Sequence, residues 1–219
     1  MGTFALVFAG CGVIMIHELY PETVPTSAIP VVFGLVITIM IYALGHISGA
    51  HFNPSVTFAF ALVKRFKYKE IIPYWIGQFT GALSAIALLI IILPETQTIG
   101  ATIPDIHLWQ AWIWEFILTF FLMFVIIAVA TDSRAISTMS GAAIGAAVML
   151  DAMIGGPVTG ASMNPARSFA PALFSAQLEY IWLYITAPTL GAISAAFLYE
   201  YIRCDEQQYI DKQNAEGCC

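Results

Sequence analysis

The stretch SGAHFNPS at positions 48–55 decides the fold, because the chain repeats it as TGASMNPA at positions 159–166. Each copy contains Asn-Pro followed by a small residue, and the two Asn residues lie 111 positions apart in a chain of 219 residues. The similarity continues downstream, where FAFAL at 58–62 corresponds to FAPAL at 169–173. This duplication indicates that two half-chains build one site, and it indicates which residues form that site.

The composition places the chain in a lipid bilayer. Apolar residues make up 59% and charged residues 10%, with a mean hydropathy of +0.82, whereas soluble domains contain roughly 25% charged residues. Soluble enzymes and nucleic-acid-binding proteins are therefore excluded, and the net charge of −6 says little about partners. No nucleophile–base set, metal-ligand pattern or Cys-x-x-Cys pair occurs, so we expect no enzyme activity, cofactor, metal or disulfide.

Six apolar stretches approach or exceed the roughly 20 residues that a membrane-spanning helix needs. They cover residues 2–17, 28–47, 71–93, 108–130, 138–155 and 180–202. Two shorter stretches follow the Asn-Pro motifs, at about 53–63 and 164–174, and these predict half-helices that end inside the membrane. The expected fold is an all-α membrane protein with six transmembrane helices and two re-entrant half-helices.

The basic residues predict the orientation, because cytoplasmic loops carry an excess of Lys and Arg. If the six spans alternate, seven of the eight basic residues fall on one side: Lys64, Arg65, Lys67, Lys69, Arg134, Arg203 and Lys212. The opposite loops, 18–27, 94–107 and 175–179, contain none. We therefore expect a multi-pass protein of the plasma or inner membrane, with both termini and the polar tail 204–219 in the cytoplasm.

The repeat extends over a single domain at 1–203, with repeat one at about 1–93 and repeat two at about 108–202. TFALVF at 3–8 resembles TFFLMF at 119–124, and GALSA at 81–85 resembles GAISA at 191–195. Three spans per repeat is an odd number, so the second copy is inverted, and such repeats place their site near the midplane. The first span is short, and the counterpart of Glu115 would precede Met1, so we expect a truncated or mis-started N-terminus.

The Asn-Pro pairs predict helix starts that face one another. Asn is a favoured N-cap and Pro is favoured at the first helical position, so Asn53-Pro54 and Asn164-Pro165 each begin a half-helix. In an inverted repeat, two positive dipole ends then point at one spot. This arrangement favours a neutral hydrogen-bond acceptor such as water or an alcohol, and it disfavours a cation.

The two motifs resemble those of the aquaporin, or major intrinsic protein, family. The resemblance rests on HISGAHFNP at 46–54 and GPVTGASMNPARS at 156–168, and it covers nearly the whole chain. The pair Tyr184-Ile185 in the sixth span looks like that of plant nodulin-like members of the family. The chain also resembles bacterial members of broad solute specificity. The resemblance implies a homotetramer in membrane lipid, with one pore for water and small neutral solutes in each subunit.

Residue by residue, the resemblance predicts four groups of site residues. The paired motifs are Asn53, Pro54, Ser55, Asn164, Pro165 and Ala166. The selectivity constriction is Phe33, Ala152, Ala161 and Arg167. The pore lining or vestibule comprises Gly49, Ala50, His51, Gly160 and Ser162, and Glu115 is expected to hold the second re-entrant loop. Ser55 departs from the usual Ala, and a local hydrogen bond is favoured over a role in selectivity.

Two alanines among the four constriction positions predict a wider pore than that of a strict water channel, which typically has His at position 152. Glycerol, urea or undissociated metalloid acids are then candidate solutes. However, Ser168 follows Arg167, where glycerol facilitators usually have Asp, so a strict water channel stays open as an alternative. A secondary active transporter also uses inverted repeats, but the chain has no convincing set of buried acids for coupling.

Overall fold

The computed structural model describes residues 1–132 and 134–203, and all regular elements in these ranges are helical. The eight α-helices are α1 (Gly2–Leu19), α2 (Ala28–Ser48), α3 (Pro54–Leu62), α4 (Ile71–Ile92), α5 (Leu108–Thr131), α6 (Ser140–Thr159), α7 (Pro165–Phe174) and α8 (Ile181–Ile202). Short 3-10 turns, Tyr68–Glu70 and Ser137–Met139, precede α4 and α6. The predicted polar tail at 204–219 lies outside the described residues.

Six of the helices are long and apolar enough to cross a membrane. The other two, α3 and α7, have 9 and 10 residues and reach only about 15 Å at 1.5 Å per residue, against a hydrocarbon core of about 30 Å. The predicted fold of six spanning helices and two half-helices is therefore confirmed. The chain is a multi-pass membrane protein.

One predicted boundary is wrong, because α6 runs to Thr159 rather than ending near residue 155. Pro157 lies inside its last turns, where the helix continues despite the missing backbone N–H. The helix ends only where Gly160 adopts a left-handed conformation with φ 81°. This extension brings the end of α6 directly to the second re-entrant loop.

The helices pair in a pattern that repeats in the two halves. Helix α1 packs along α4 in the first repeat, and α5 packs along α8 in the second. The contact between α2 and α6 joins the two repeats. Each half-helix packs mainly on a helix of the other repeat, α3 on α8 and α7 on α4, and to a lesser extent on the spanning helix that follows it. The halves therefore interlock, and each one supports the half-helix of the other.

Glycines let these helices approach closely. At the α2–α6 crossing, a Cβ on Gly34 would lie 2.6 Å from the Gly145 carbonyl oxygen. At the α5–α8 crossing, a Cβ on Gly191 would lie 2.3 Å from the Phe116 carbonyl oxygen. Small residues at such contacts allow the backbone-to-backbone packing that holds helices together in a membrane.

Charged contacts mark the two ends of the bundle. At one end, Glu200 pairs with Arg65 and with Arg203, each at 3.0 Å. At the other end, the Glu18 carboxylate accepts hydrogen bonds from the backbone N–H groups of Gln97 and Thr98 at 2.8 and 3.0 Å. The basic loops and the acidic loops thus lie at opposite ends, as the charge pattern predicts.

Candidate functional site

The two half-helices begin at the Asn-Pro pairs. Asn53 Oδ1 accepts a hydrogen bond from the Ser55 backbone N–H at 2.9 Å, and Asn164 Oδ1 accepts from the Ala166 N–H at 3.0 Å. Pro occupies the first helical position of both α3 and α7. Both side-chain oxygens are thus used as N-caps, which leaves the amide NH₂ groups for other partners.

Each amide donates to the opposite repeat. Asn53 Nδ2 donates to the Met163 carbonyl at 2.7 Å, and Asn164 Nδ2 donates to the Phe52 carbonyl at 3.0 Å. An amide NH₂ has two hydrogens, so one hydrogen of each Asn stays available to a molecule in the cavity that both residues line. The reciprocal bonds hold the two helix starts side by side, with one donor from each repeat facing the same space.

The loops before the two Asn residues have a backbone conformation that is built twice. Gly49, Ala50 and Phe52 have φ of 69°, 51° and 51°. The corresponding Gly160, Ala161 and Met163 have φ of 81°, 41° and 52°. A non-glycine residue in this region costs of order 1–3 kcal/mol, so the surrounding contacts must hold the conformation in place. Because the same unfavourable conformation occurs directly before both Asn residues, we infer that it serves to position them.

Glu115 holds the second loop. Its side chain is fully buried, and it accepts hydrogen bonds from Thr159 Oγ1 at 2.7 Å, the Ser162 N–H at 2.8 Å and the Met163 N–H at 2.9 Å. Three donors and no acceptor surround it among these contacts, which matches an ionised carboxylate. The predicted loop-holding position of Glu115 therefore has direct contacts to support it.

Different residues hold the first loop. Thr57 Oγ1 donates to the Asn53 carbonyl at 3.0 Å and accepts from Gln78 Nε2 at 2.9 Å. His51 Nδ1 lies 3.1 Å from the same hydroxyl. Because the single Thr57 proton is directed to the carbonyl, His51 Nδ1 is the donor in this pair. Thr3 Oγ1 completes the set by donating to the Phe52 carbonyl at 3.2 Å.

Two cavities meet at the predicted constriction. An inner cavity of about 290 Å³ and an outer cavity of about 530 Å³ each draw residues from both repeats. Among the described residues, four line both cavities: Phe33, Ala152, Ala161 and Arg167. These are the four positions that the sequence predicts for the selectivity constriction. Phe33 and Arg167 are its only long side chains, and the Arg167 guanidinium carbon lies 5.4 Å from the centre of the Phe33 ring.

The remaining predicted residues divide between the lining and the supporting structure. Gly49, Ala50, His51 and Ser162 line the inner cavity, and Gly160 lines the outer one. Pro54, Ser55, Pro165 and Ala166 line neither cavity. Ser55 Oγ instead lies 3.0 Å from Thr189 Oγ1 of α8, so the residue that departs from the usual Ala faces a helix rather than the cavity.

The loop between α4 and α5 contributes residues that the sequence analysis missed. Arg167 Nη1 donates to the Gly100 carbonyl at 2.7 Å, and Gly100 has φ 74°. Thr102 Oγ1 donates to Ser168 Oγ at 2.7 Å, and that oxygen lies 2.5 Å from Ser162 Oγ. This loop therefore fixes the position of Arg167, the one cation among the four predicted constriction residues. An isolated Gly in a polar loop was the only signal in the sequence.

Comparisons with known proteins agree with this architecture. The family model described as "Major intrinsic protein" matches residues 1–199. Nodulin-26 of Glycine max is 44% identical over 217 residues, covering 99% of this chain and 78% of the relative. Aquaporin NIP3-1 of Arabidopsis thaliana is 42% identical, covering 95% and 67%.

A solved structure has the same fold. The X-ray structure of the aquaglyceroporin from Plasmodium falciparum superposes with a TM-score of 0.82 at 23% identity, and the match covers 96% of this chain and 95% of that one. The family model, the relatives and the fold agree. This chain belongs to the major intrinsic protein family.

Proposed function

We propose that this chain is a passive channel for water and small uncharged solutes that excludes protons and ions. The observation that carries the proposal is the position of Phe33, Ala152, Ala161 and Arg167, which line both cavities and so form the passage between them. The relatives named nodulin-26 and aquaporin support the same function.

Exclusion of ions follows from the charges that face the passage. The N-termini of α3 and α7 meet where Asn53 and Asn164 lie, and each carries a partial positive charge from the helix dipole. Arg167 adds a full positive charge at the constriction and is only 3% exposed. A cation that has lost its hydration shell meets no carboxylate among the residues of either cavity, so its desolvation is not compensated.

Exclusion of protons follows from the two Asn donors. A water molecule that accepts from both Asn53 and Asn164 has both of its lone pairs engaged. Its hydrogens then point away from the midplane in both directions, and a continuous chain of donors and acceptors is interrupted there. Neutral solutes with hydroxyl or amide oxygens satisfy the same donors without carrying a charge.

The width of the constriction supports a solute range beyond water. Ala152 and Ala161 contribute one methyl group each, so Phe33 is the only bulky apolar side chain among the four. Glycerol, urea and undissociated metalloid acids are the proposed solutes. The fold shared with an aquaglyceroporin is compatible with this range.

The proposed assembly follows the family. Residues 1–203 form one channel domain, with repeats at about 1–93 and 108–202, and four copies assemble with one pore in each. Both termini lie on the cytoplasmic side of a plasma or inner membrane, because the basic loops cluster at the end of the bundle where Arg65 and Arg203 pair with Glu200.

The direct test is a solute panel on purified protein in liposomes. Stopped-flow light scattering measures water, glycerol, urea and boric acid permeability, and a pH-sensitive dye inside the vesicles reports proton leak. Water permeability no higher than that of empty vesicles would reject the channel. Uphill uptake that depends on a Na⁺ or pH gradient would favour the transporter instead.

Ala152→His tests the constriction. An imidazole at this position fills space between the cavities, so glycerol permeability is expected to fall more than water permeability. The control is Ser27→His, because Ser27 is exposed and lines the outer cavity but not the inner one, and its ratio of glycerol to water permeability is expected to stay near wild type. Equal losses of glycerol and water flux in Ala152→His would reject the constriction assignment.

A further inference from the structure

The ring of Phe33 occupies space that a side chain on helix α1 would otherwise fill. A Cβ atom built on Gly10 would lie 2.2 Å from Phe33 Cε1, 2.3 Å from Cζ and 2.8 Å from Cδ1. Non-bonded carbon atoms prefer separations of about 3.5–4.0 Å. The position of the bulkiest constriction residue therefore depends on the absence of a side chain at residue 10.

We propose that Gly10 is a specificity-determining residue of the channel. It touches no solute, and it acts by positioning: the space above its Cα lets the Phe33 ring withdraw from the passage, which sets the width of the constriction. This inference rests on the proposed function, because it concerns which neutral solutes pass. A larger residue at position 10 pushes the ring out of its recess.

The structure also indicates where a displaced ring would go. The three atoms in conflict form one edge of the Phe33 ring. Rotation about the side-chain bonds of Phe33 can move this edge without any movement of helix α2. Phe33 lines both cavities, so the open space beside the ring is the passage itself. The Arg167 guanidinium carbon lies over the face of the ring, 5.4 Å from its centre. A ring displaced from Gly10 is therefore expected to move into the passage and to narrow it.

The repeat provides an internal comparison for this pair. Aligning Thr3 with Thr119 places Gly10 opposite Ile126. Leu6 and its counterpart Leu122 both line the inner cavity, as does Ile126, so position 10 lies on the face of α1 that is directed toward the passage.

The same comparison holds for Phe33. Aligning the Asn residues places Phe33 opposite Ile144, which also lines the inner cavity. Repeat two thus fills the two positions with Ile126 and Ile144, two side chains of equal size. Repeat one has no side chain at position 10, which is Gly, and a large aromatic side chain at position 33, which is Phe. The pair Gly10–Phe33 is thus one place where the two repeats differ, and this difference lies at the proposed constriction.

The test compares Gly10→Ala, Phe33→Leu and the double variant in liposomes. Gly10→Ala is expected to lower glycerol permeability by on the order of tenfold, the effect of one methyl group at a site that discriminates by size, with a smaller change in water permeability. In the double variant, the ratio of glycerol to water permeability is expected to return to that of Phe33→Leu. An unchanged ratio in Gly10→Ala, or a double variant that keeps the Gly10→Ala defect, overturns the proposal.

Three comparisons separate the possible failures. Wild-type protein without glycerol and water flux rejects the proposed function itself, whereas wild-type flux with an unchanged Gly10→Ala ratio rejects only this inference. Gly77→Ala is the matched control, because a Cβ on Gly77 meets nothing within 4 Å, and it is expected to behave as wild type.

Folding gives an independent readout, measured by size-exclusion chromatography and thermal unfolding in detergent. If Gly10→Ala does not fold and the double variant does, the conflict lies with the Phe33 ring, as proposed. If both fail to fold, Gly10 serves helix packing and the proposal is overturned.

Discussion

Replacing Glu115 by Gln is expected to destabilise the protein and disturb the passage together. The carboxylate accepts three hydrogen bonds, two on Oε1 and one on Oε2. A Gln carbonyl can keep the two bonds from Thr159 and Ser162, but its NH₂ group then faces the Met163 N–H. That bond is lost, and a buried donor is left without a partner.

The magnitude follows from the kind of bond that is lost. A hydrogen bond to a charged group contributes about 1.5–3 kcal/mol, and leaving a buried donor unsatisfied costs about 1–3 kcal/mol. The two remaining bonds weaken when the charge is removed, but the neutral amide is also cheaper to bury. The expected net loss is about 2–3 kcal/mol of unfolding free energy. Because the Met163 carbonyl accepts from Asn53, water permeability per folded channel is expected to fall as well.

The assay is unfolding in mixed detergent and SDS micelles, with stopped-flow water permeability measured on the folded fraction. Glu18→Gln is the matched control, because the Glu18 carboxylate also accepts backbone N–H bonds but is exposed. Water screens that interaction, so a smaller loss is expected. If Glu115→Gln lowers stability no more than Glu18→Gln does, the loop-holding role is wrong.

Two further predictions concern residues outside the constriction. Ser55→Ala removes the contact with Thr189, so thermal unfolding in detergent should show a loss of about 1 kcal/mol, while liposome water and glycerol permeability stay at wild-type values. A changed ratio of glycerol to water permeability would contradict this prediction and indicate that Ser55 affects selectivity. Hydrogen bonds from the Arg134 side chain hold the pKa of the Asp132 carboxyl well below its usual range. The ionised Asp132 carboxylate therefore stabilises the folded protein. This stabilisation is fully present above the ordinary pKa of 3.8 and is lost as the pH falls through the lower pKa of the folded protein. The stability advantage of wild type over Asp132→Asn should therefore be constant above about pH 5 and shrink in more acid solution, and an advantage that grows on acidification would refute it.

Local sequence signals predict most of the architecture. The spanning helices follow from apolar length, because a bilayer requires every backbone group to be bonded within its own segment. The half-helix starts follow from Asn-Pro, since capping involves only neighbouring residues. The end of α6 is less predictable, because Pro157 is tolerated in its last turns and the helix continues to Gly160.

Contacts between residues that are far apart in the chain cannot be predicted from such local sequence signals. Arg167 is recognisable from its motif, but its partner Gly100 lies 67 positions away in a loop without a distinctive pattern. Ser55 is conspicuous as a departure from the usual Ala, yet its partner Thr189 is 134 positions away. Gly10 is one of several glycines in apolar helices, and only the position of the Phe33 ring distinguishes it. Such pairings depend on packing across the whole bundle.

The crossed amide bonds have a consequence for biosynthesis. Asn53 and its acceptor on Met163 are 110 positions apart, and Asn164 and Phe52 are 112 positions apart. During translation, the first re-entrant loop therefore leaves the ribosome long before its partner exists. During that interval the Phe52 carbonyl lacks the bond from Asn164 and keeps only the one from Thr3. Completion of the pore therefore depends on repeat two, and a chain that stops after repeat one cannot form the passage, because residues of both repeats line both cavities.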